Sequence, residues 1–267
     1  MMPDDPPDQN GQLAAADDLL TLRRFTPARI GLGRAGSGQL TATSLQFMRD
    51  HARARDAVHA ALDFEAPGSS LRARGWSVVR VHSAARDRTE YLRRPDLGRR
   101  LAPVGWPVFE EGMRGSDVAI VAADGLSALA IETNLVPVLD HLRPLLLARR
   151  YTIGPLVLVE QGRVAIGDEI GQLLDARLVV VLIGERPGLS AADSLGAYIT
   201  WQPGIGAMDS SRNCISNIRP EGLPPEDAAA QIIDVITQAF AHEMTGVRLN
   251  DVRAVTPSGA AVITHRP

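Results

Sequence analysis

The apolar residues of this chain fall into short unbroken runs separated by longer stretches in which they recur at helical spacing. Leu178 to Ile183 is the clearest run: six consecutive apolar side chains that stop at Gly184 and are followed by Glu185 and Arg186. A strand with apolar side chains on both faces suits the middle of a parallel sheet covered by helices on either side. Trp76 to Val81, Val118 to Ala122 and Leu156 to Glu160 read the same way, and Ala197 to Trp201 is a weaker fifth strand. Between them, Leu126 to Arg150 carries leucine at helical spacing, with prolines at 137 and 144 that predict two helices or one kinked helix. Gly167 to Asp175 reads as a short crossover. Pro224-Pro225-Glu226-Asp227 opens a last helix that runs through Ala239 to Met244 and ends at Gly246, with prolines and acids in the first turn where both are tolerated. The alternation predicts an α/β fold, an open and mostly parallel sheet flanked by helices in the Rossmann manner. In such sheets ligands bind beyond the carboxyl ends of the strands, which places Glu185 and Arg186 at the ligand edge.

Upstream of the sheet, Leu45, Met48, Ala52, Ala57 and Val58 recur on one helical face, so Thr43 to Leu62 is an amphipathic helix with Thr43 as its cap. Pro67-Gly68-Ser69-Ser70 then breaks the chain. Residues 1–19 and 251–267 are too polar or too small-residue-rich to order themselves and read as tails. The chain thus divides into a tail (1–19), a loop and helical segment (20–70), an α/β domain (71–250) and a second tail (251–267), with no internal repeat.

Composition narrows the function. With 45% hydrophobic residues over 267 positions the chain fills a real core. No apolar run approaches the roughly twenty residues of a membrane helix, and the opening Met-Met-Pro-Asp-Asp-Pro-Pro-Asp is acidic rather than basic and then apolar, so a cytoplasmic protein without a secretory signal is expected. A single cysteine, Cys214, excludes an internal disulfide, and six histidines without metal-ligand spacing argue against a zinc cluster. The net charge is −3 and the basic residues are all arginine. Nothing pulls the chain toward nucleic acid, and a lysine Schiff base is excluded.

Several motifs invite a chemical reading. Gly31-Leu32-Gly33-Arg34-Ala35-Gly36 matches the dinucleotide fingerprint as a string, but no apolar strand precedes it and Gly38 follows. A loop is the better reading, with a nicotinamide oxidoreductase as the alternative. His51 and His59 lie on one helical face eight residues apart with Arg55 between them, a spacing that suits a solvated face better than a metal. Arg86 to Arg100 interleaves arginines with acids and reads as a salt-bridged surface suited to an interface. Asp124-Gly125-Leu126-Ser127 joins a strand to a helix; Ser127 lacks the flanking glycines of a nucleophile elbow, and Asp124 fits a turn-and-cap role. Asn213 to Asn217 follows a glycine- and proline-rich connection and reads as a polar loop around one thiol, with a buried inert cysteine as the plain alternative.

Six of these strings, in order and in register, carry a resemblance: Thr26-Pro27-Ala28-Arg29, Asp50-His51-Ala52-Arg53, Tyr91-Leu92-Arg93-Arg94-Pro95-Asp96-Leu97-Gly98-Arg99-Arg100, Asp124-Gly125-Leu126-Ser127, Gly184-Glu185-Arg186-Pro187-Gly188 and Cys214-Ile215-Ser216-Asn217-Ile218. Together they resemble the small (light) subunit of ethanolamine ammonia-lyase from about Leu20 to Gly246. The resemblance implies an adenosylcobalamin-dependent lyase that converts ethanolamine to acetaldehyde and ammonia by radical chemistry. It further implies a large subunit with a barrel fold that supplies the catalytic residues, so that none is expected here, and a cobalamin held between the two subunits. Carried over by motif, this chain's cofactor contacts fall on Val164, Glu185 and Cys214. The Asp-x-His-x-x-Gly string of cobalamin proteins that ligate cobalt through their own histidine is absent, which implies that the nucleotide base stays on the metal. The short acidic start departs from the longer amphipathic extension of family members that enter a bacterial microcompartment; the resemblance therefore implies the cytoplasm first and that compartment second. A non-catalytic assembly factor is the third possible class.

Overall fold

The computed structural model describes residues 21–22, 24–25, 28–34, 37–60, 62–104 and 109–255. Both expected tails up to residue 19 and beyond 255, together with Thr26, Pro27, Ala35 and Gly36, lie outside the described residues. Helix α1 (Thr41–His59) and helix α2 (Glu65–Ala73) precede strand β1 (Val78–His82) and the short helix α3 (Arg88–Arg93). There follow β2 (Val118–Ala123), α4 (Ala128–Ala148), β3 (Ile153–Glu160), α5 (Ile166–Leu173), β4 (Leu178–Gly184), β5 (Leu195–Trp201), β6 (Arg212–Ile218), α6 (Pro225–His242) and α7 (Val247–Val255).

The six strands form one sheet in the order β1-β3-β2-β4-β5-β6. The first four are parallel, and β5 and β6 extend the sheet antiparallel to β4. Every residue of β2 and β4 is buried, as their unbroken apolar runs predict. Alternate side chains of β2 point to opposite layers: Val118, Ile120 and Ala122 pack with α4 and α6, while Ala119, Val121 and Ala123 pack with Ile166, Ile170 and Leu174 of the α5 region. The chain therefore leaves β2 through α4 on one face to reach β3 on one side. It then returns through α5 on the other face to β4 on the opposite side. That reversal opens a crevice at the carboxyl ends of β3, β2 and β4, where ligands bind in folds of this kind.

Three expectations are corrected, and of the two readings of Leu126 to Arg150 the single helix holds. Pro67 to Ser70 does not break the chain but lies inside α2; Pro67 stands in its first turn, where a backbone N–H has no helical partner to lose. Helix α4 is one continuous element despite Pro137 and Pro144. Its buried face, Ile131, Leu135, Val138, Leu139, Leu142 and Leu146, holds it on the sheet, while Pro137 is half-buried and Pro144 exposed. The carbonyls left free, those of the exposed Thr133 and Asp140, thus lie toward solvent, where water donates to them. Thr43 does not cap α1; Leu40 precedes the helix without a side-chain cap, and the Thr43 hydroxyl donates to the Leu32 carbonyl at 3.5 Å. Finally, Asn213 to Asn217 is not a loop but most of β6, a sixth strand. The crossover at Gly167 is the helix α5, and α7 covers the first residues of the span read as the second tail.

Candidate functional site

The cleft at the sheet's carboxyl edge is built by the segments that leave β2, β3 and β4. Gly125 and Leu126 follow β2, Arg163 to Ala165 follow β3, and Gly184 to Arg186 end β4, all lining one cavity of about 560 Å³. Tyr91 and Arg99 close one side, and Tyr198, Asp209, Arg212 and Cys214 close the other. Val164, Glu185 and Cys214, separated widely in sequence, meet there. The glycines explain how the backbones come so close. Gly125 has φ of 57°, and a Cβ on it would lie 2.2 Å from the Gly184 carbonyl oxygen. A Cβ on Gly184 would in turn lie 2.1 Å from the carbonyl oxygen of Ser127. Only glycine fits either position.

Beneath this floor sits Asp124, almost wholly buried. Burial pushes its carboxyl up to about 6, against the pull of the Arg88 charge and of backbone N–H donors from Gln161, Gly162 and Gly125. The Gly162 amide donates to it at 3.1 Å and the Arg88 guanidinium approaches to 3.5 Å. Asp124 therefore braces the ends of β2 and β3. The cap of α4 is Ser127 instead, whose hydroxyl accepts from the Ala130 amide at 3.2 Å and donates to the Ala192 carbonyl at 2.6 Å.

Glu185 is half-buried. Its Oε2 accepts from the Ser194 hydroxyl at 2.5 Å and from the Asn217 amide at 3.2 Å, while its Oε1 has no hydrogen-bond partner among the described residues. Val164 lies just before the amino end of α5. Its amide N–H likewise has no partner among the described residues, as expected of an N–H at a helix start. Cys214 is exposed, not buried, because it points from edge strand β6 into the cleft, with its sulfur 3.2 Å from the Ser216 hydroxyl. Burial, followed by the neighbouring Cys214 and Glu185, pushes the Tyr198 phenol above its ordinary range.

The far wall is fixed by a buried ion pair. Both Arg212 amino nitrogens donate to Asp168, at 2.5 and 2.7 Å, which ties β6 to α5. Burial raises the Asp168 carboxyl and opposes the Arg212 charge, while Asp168 and Asp209 hold the guanidinium above its ordinary value. The two-pronged geometry needs both carboxylate oxygens as acceptors, so the pair is ionised.

Comparison with known proteins places this arrangement. Residues 16–250 match the family model described as ethanolamine ammonia-lyase light chain. The chain belongs to the ethanolamine ammonia-lyase small-subunit family. It is 52% identical over 236 residues to the ethanolamine ammonia-lyase small subunit of Azotobacter vinelandii, covering 86% of this chain and 87% of that protein. It is 49% identical over 242 residues to that of Pseudomonas aeruginosa strain PAO1 (89% of each chain), and 49% identical over 241 residues to that of Xanthomonas campestris pv. campestris (88% of each). The family name makes the chain one subunit of a lyase, with a large subunit implied by the word small.

Against this membership, Val164, Glu185 and Cys214 line one cleft, and Arg186 lines it with them. Among the described residues no group of histidine, cysteine and carboxylate side chains is arranged to hold a metal, His51 and His59 included. The described part of the glycine string, Gly31 to Arg34, has no regular secondary structure and is not part of the cleft lining. No described helix is long and apolar enough to cross a membrane. Reasoning from sequence missed Tyr91, Arg99, Arg163, Tyr198 and Arg212 as cleft residues. The stretch Arg86 to Arg100 is ion-paired at Arg86–Glu90 and Arg94–Asp96, as read, but Tyr91 in its middle is buried. Its position three residues after Arg88 puts the two on one helical face, where the guanidinium lies 4.9 Å from the ring centre, and that spacing was the available signal.

Proposed function

We propose that this chain is the cofactor-holding subunit of an adenosylcobalamin-dependent lyase, offering half of a cobalamin cleft that the large subunit completes for the deamination of ethanolamine to acetaldehyde and ammonia. The supporting observation is the convergence of Val164, Glu185 and Cys214 from three separate segments on one crevice. The donor set fits a corrinoid, whose edge carries amide side chains and whose lower face carries a nucleotide tail. Glu185 Oε1 accepts an amide N–H or a hydroxyl, the Val164 N–H donates to an amide oxygen, and Leu126, Ile183 and the Cys214 thiol cover apolar edge. When bound, the cobalamin supplies radical chemistry through homolysis of its cobalt–carbon bond. This chain's residues hold and orient: Ser194 and Asn217 fix the Glu185 carboxylate, and the Asp168–Arg212 pair fixes the strand that carries Cys214. A cavity of about 560 Å³ is of the size that encloses one drug-sized ligand. A corrinoid, being larger than that, would be held by this chain only in part, with the rest left to the partner. A corrinoid would meet no histidine among the cleft-lining residues of this chain to compete with its own nucleotide base.

The test is co-expression with the large subunit. The chain alone should make no acetaldehyde from ethanolamine and adenosylcobalamin, and the complex should make it. Glu185→Ala should weaken cobalamin retention by the complex, measured by equilibrium dialysis, on the order of tenfold to a hundredfold, the worth of one hydrogen bond to a charged group. An unchanged affinity would leave only the role of an assembly factor.

A further inference from the structure

Arg163 is held differently from the other arginines around the cleft. Its backbone amide donates to the Gly98 carbonyl at 2.8 Å, and its side chain is packed so closely that a Cβ on Gly98 would come within 3.0 Å of the Arg163 Cγ. The guanidinium lies 4.5 Å from the centre of the Tyr91 ring and donates from Nη2 to the Tyr91 carbonyl at 3.2 Å. Tyr91 is itself fixed, its hydroxyl bonded to the Gly162 carbonyl at 3.0 Å. The Arg163 Nε is buried without a hydrogen-bond partner, and no carboxylate lies within ion-pair distance among the described residues. Its neighbours are matched: Arg88 with Asp124, and Arg212 with Asp168 and Asp209. Arg99 and Arg186 line the same cleft and also lack a carboxylate partner among the described residues. A rigid, partly desolvated guanidinium without a counter-charge is costly unless an anion from outside completes it.

We infer that Arg163, flanked by Arg99 and Arg186, forms a subsite for a phosphodiester monoanion, the one carried by the nucleotide tail of the corrinoid. The inference rests on the cobalamin reading above and adds where on this chain the tail's charge is met. With Nε buried and Nη2 bonded to the Tyr91 carbonyl, Nη1 is the amino group of Arg163 left without a partner among the described residues and the donor offered to a phosphate oxygen, while Arg99 and Arg186, both exposed, add charge without fixed geometry.

The experiment compares two corrinoids on the complex of the full chain with its large subunit. Cobalamin carries the phosphodiester; cobinamide, which lacks the nucleotide and its phosphodiester, does not. By equilibrium dialysis, Arg163→Ala should weaken cobalamin on the order of tenfold to a hundredfold, leave cobinamide within about twofold, and flatten the salt dependence of cobalamin binding. The double variant Arg99→Ala/Arg186→Ala, at two exposed positions, should show a smaller loss with the same selectivity. Equal weakening of both corrinoids by Arg163→Ala would mean that the residue acts only by packing on Tyr91, and would overturn the inference. So would wild-type cobalamin affinity in both variants. If wild type takes up inorganic phosphate that Arg163→Ala does not, with cobalamin binding unchanged, the site serves free phosphate and the assignment to the cofactor tail fails. A wild-type complex that retains neither corrinoid would sink the cobalamin reading itself; retention of both, with no discrimination in the variants, sinks this inference alone.

Discussion

Replacing Asp124 by asparagine isolates the energetics of the cleft floor. The carboxyl stands at about 6 in the folded chain against an ordinary 3.8, and burial is the main cause. That difference costs the ionised form about 3 kcal/mol on folding. The folded value is raised, so the sign follows directly. Above about pH 6 the group is ionised in both states and the whole cost is present. Between about pH 6 and 4 the native chain holds a proton that the unfolded chain has lost, so stability climbs as the pH falls, and below about pH 4 the cost is gone. The asparagine variant carries no such term. Glu90 and Asp96, held low by hydrogen bonds from Arg86 and Arg94, titrate alike in both proteins and cancel in the comparison. Urea unfolding of the full-length chain, followed by circular dichroism at pH 7, 6, 5 and 4, should therefore show wild type gaining about 3 kcal/mol relative to Asp124→Asn as the pH drops. A difference that stays flat, or that favours wild type at the neutral end, would refute the account of Asp124 as a carboxylate held against its own desolvation.

Two further outcomes test the scaffold. Gly184→Ala sets a methyl 2.1 Å from the Ser127 carbonyl oxygen and 2.5 Å from that of Asp124; both are backbone atoms with nowhere to go. Overpacking of roughly 3 kcal/mol should lower the Tm by about 6–12 °C in differential scanning calorimetry, and an unchanged Tm would contradict the close approach of these turns. Asp168→Leu leaves the buried Arg212 guanidinium with the exposed Asp209, at 3.5 Å, as its one remaining carboxylate and should cost about 3 kcal/mol in urea unfolding, whereas Asp168→Leu with Arg212→Met should recover most of it. Single and double variants of equal stability would show that the pair is not desolvated as described.

How much of this could be read from the chain depends on whether a residue's environment is local. The strands β2 and β4 were legible because burial on both faces leaves no polar position in the run, and Glu185 was placed at the ligand edge by that run ending at glycine. β6 was misread for the opposite reason. Its buried positions include Arg212 and Asn213, which hydropathy assigns to solvent. They are buried because distant groups satisfy them: Asp168 takes the guanidinium, and the Asn213 amide donates to Asn250 at 2.9 Å while its carbonyl accepts from the Gly246 amide at 2.7 Å. Pro67 looked like a break because where α2 starts was not legible, and Pro137 and Pro144 left two helices or one open because a proline's cost depends on which side of the helix faces water, a tertiary fact. The same limit applies to the cleft. Val164, Glu185 and Cys214 came from motif positions, whereas Arg163 acquires its character only from Tyr91, seventy-two positions earlier.

Arg88 gathers the cleft floor and the N-terminal helix into one unit. Its Nε donates to the Val58 carbonyl in the last turns of α1 at 2.6 Å, and its Nη1 donates to the Gly125 carbonyl at 2.8 Å beside Asp124. Detaching the end of α1 would leave this guanidinium half-unbonded and shift the balance around a buried carboxylate, so the helix cannot peel away by the independent fraying usual near a chain end. Opening of its last turns is thereby coupled to the strand ends under the cleft, by about 1.5–3 kcal/mol for that one charged hydrogen bond.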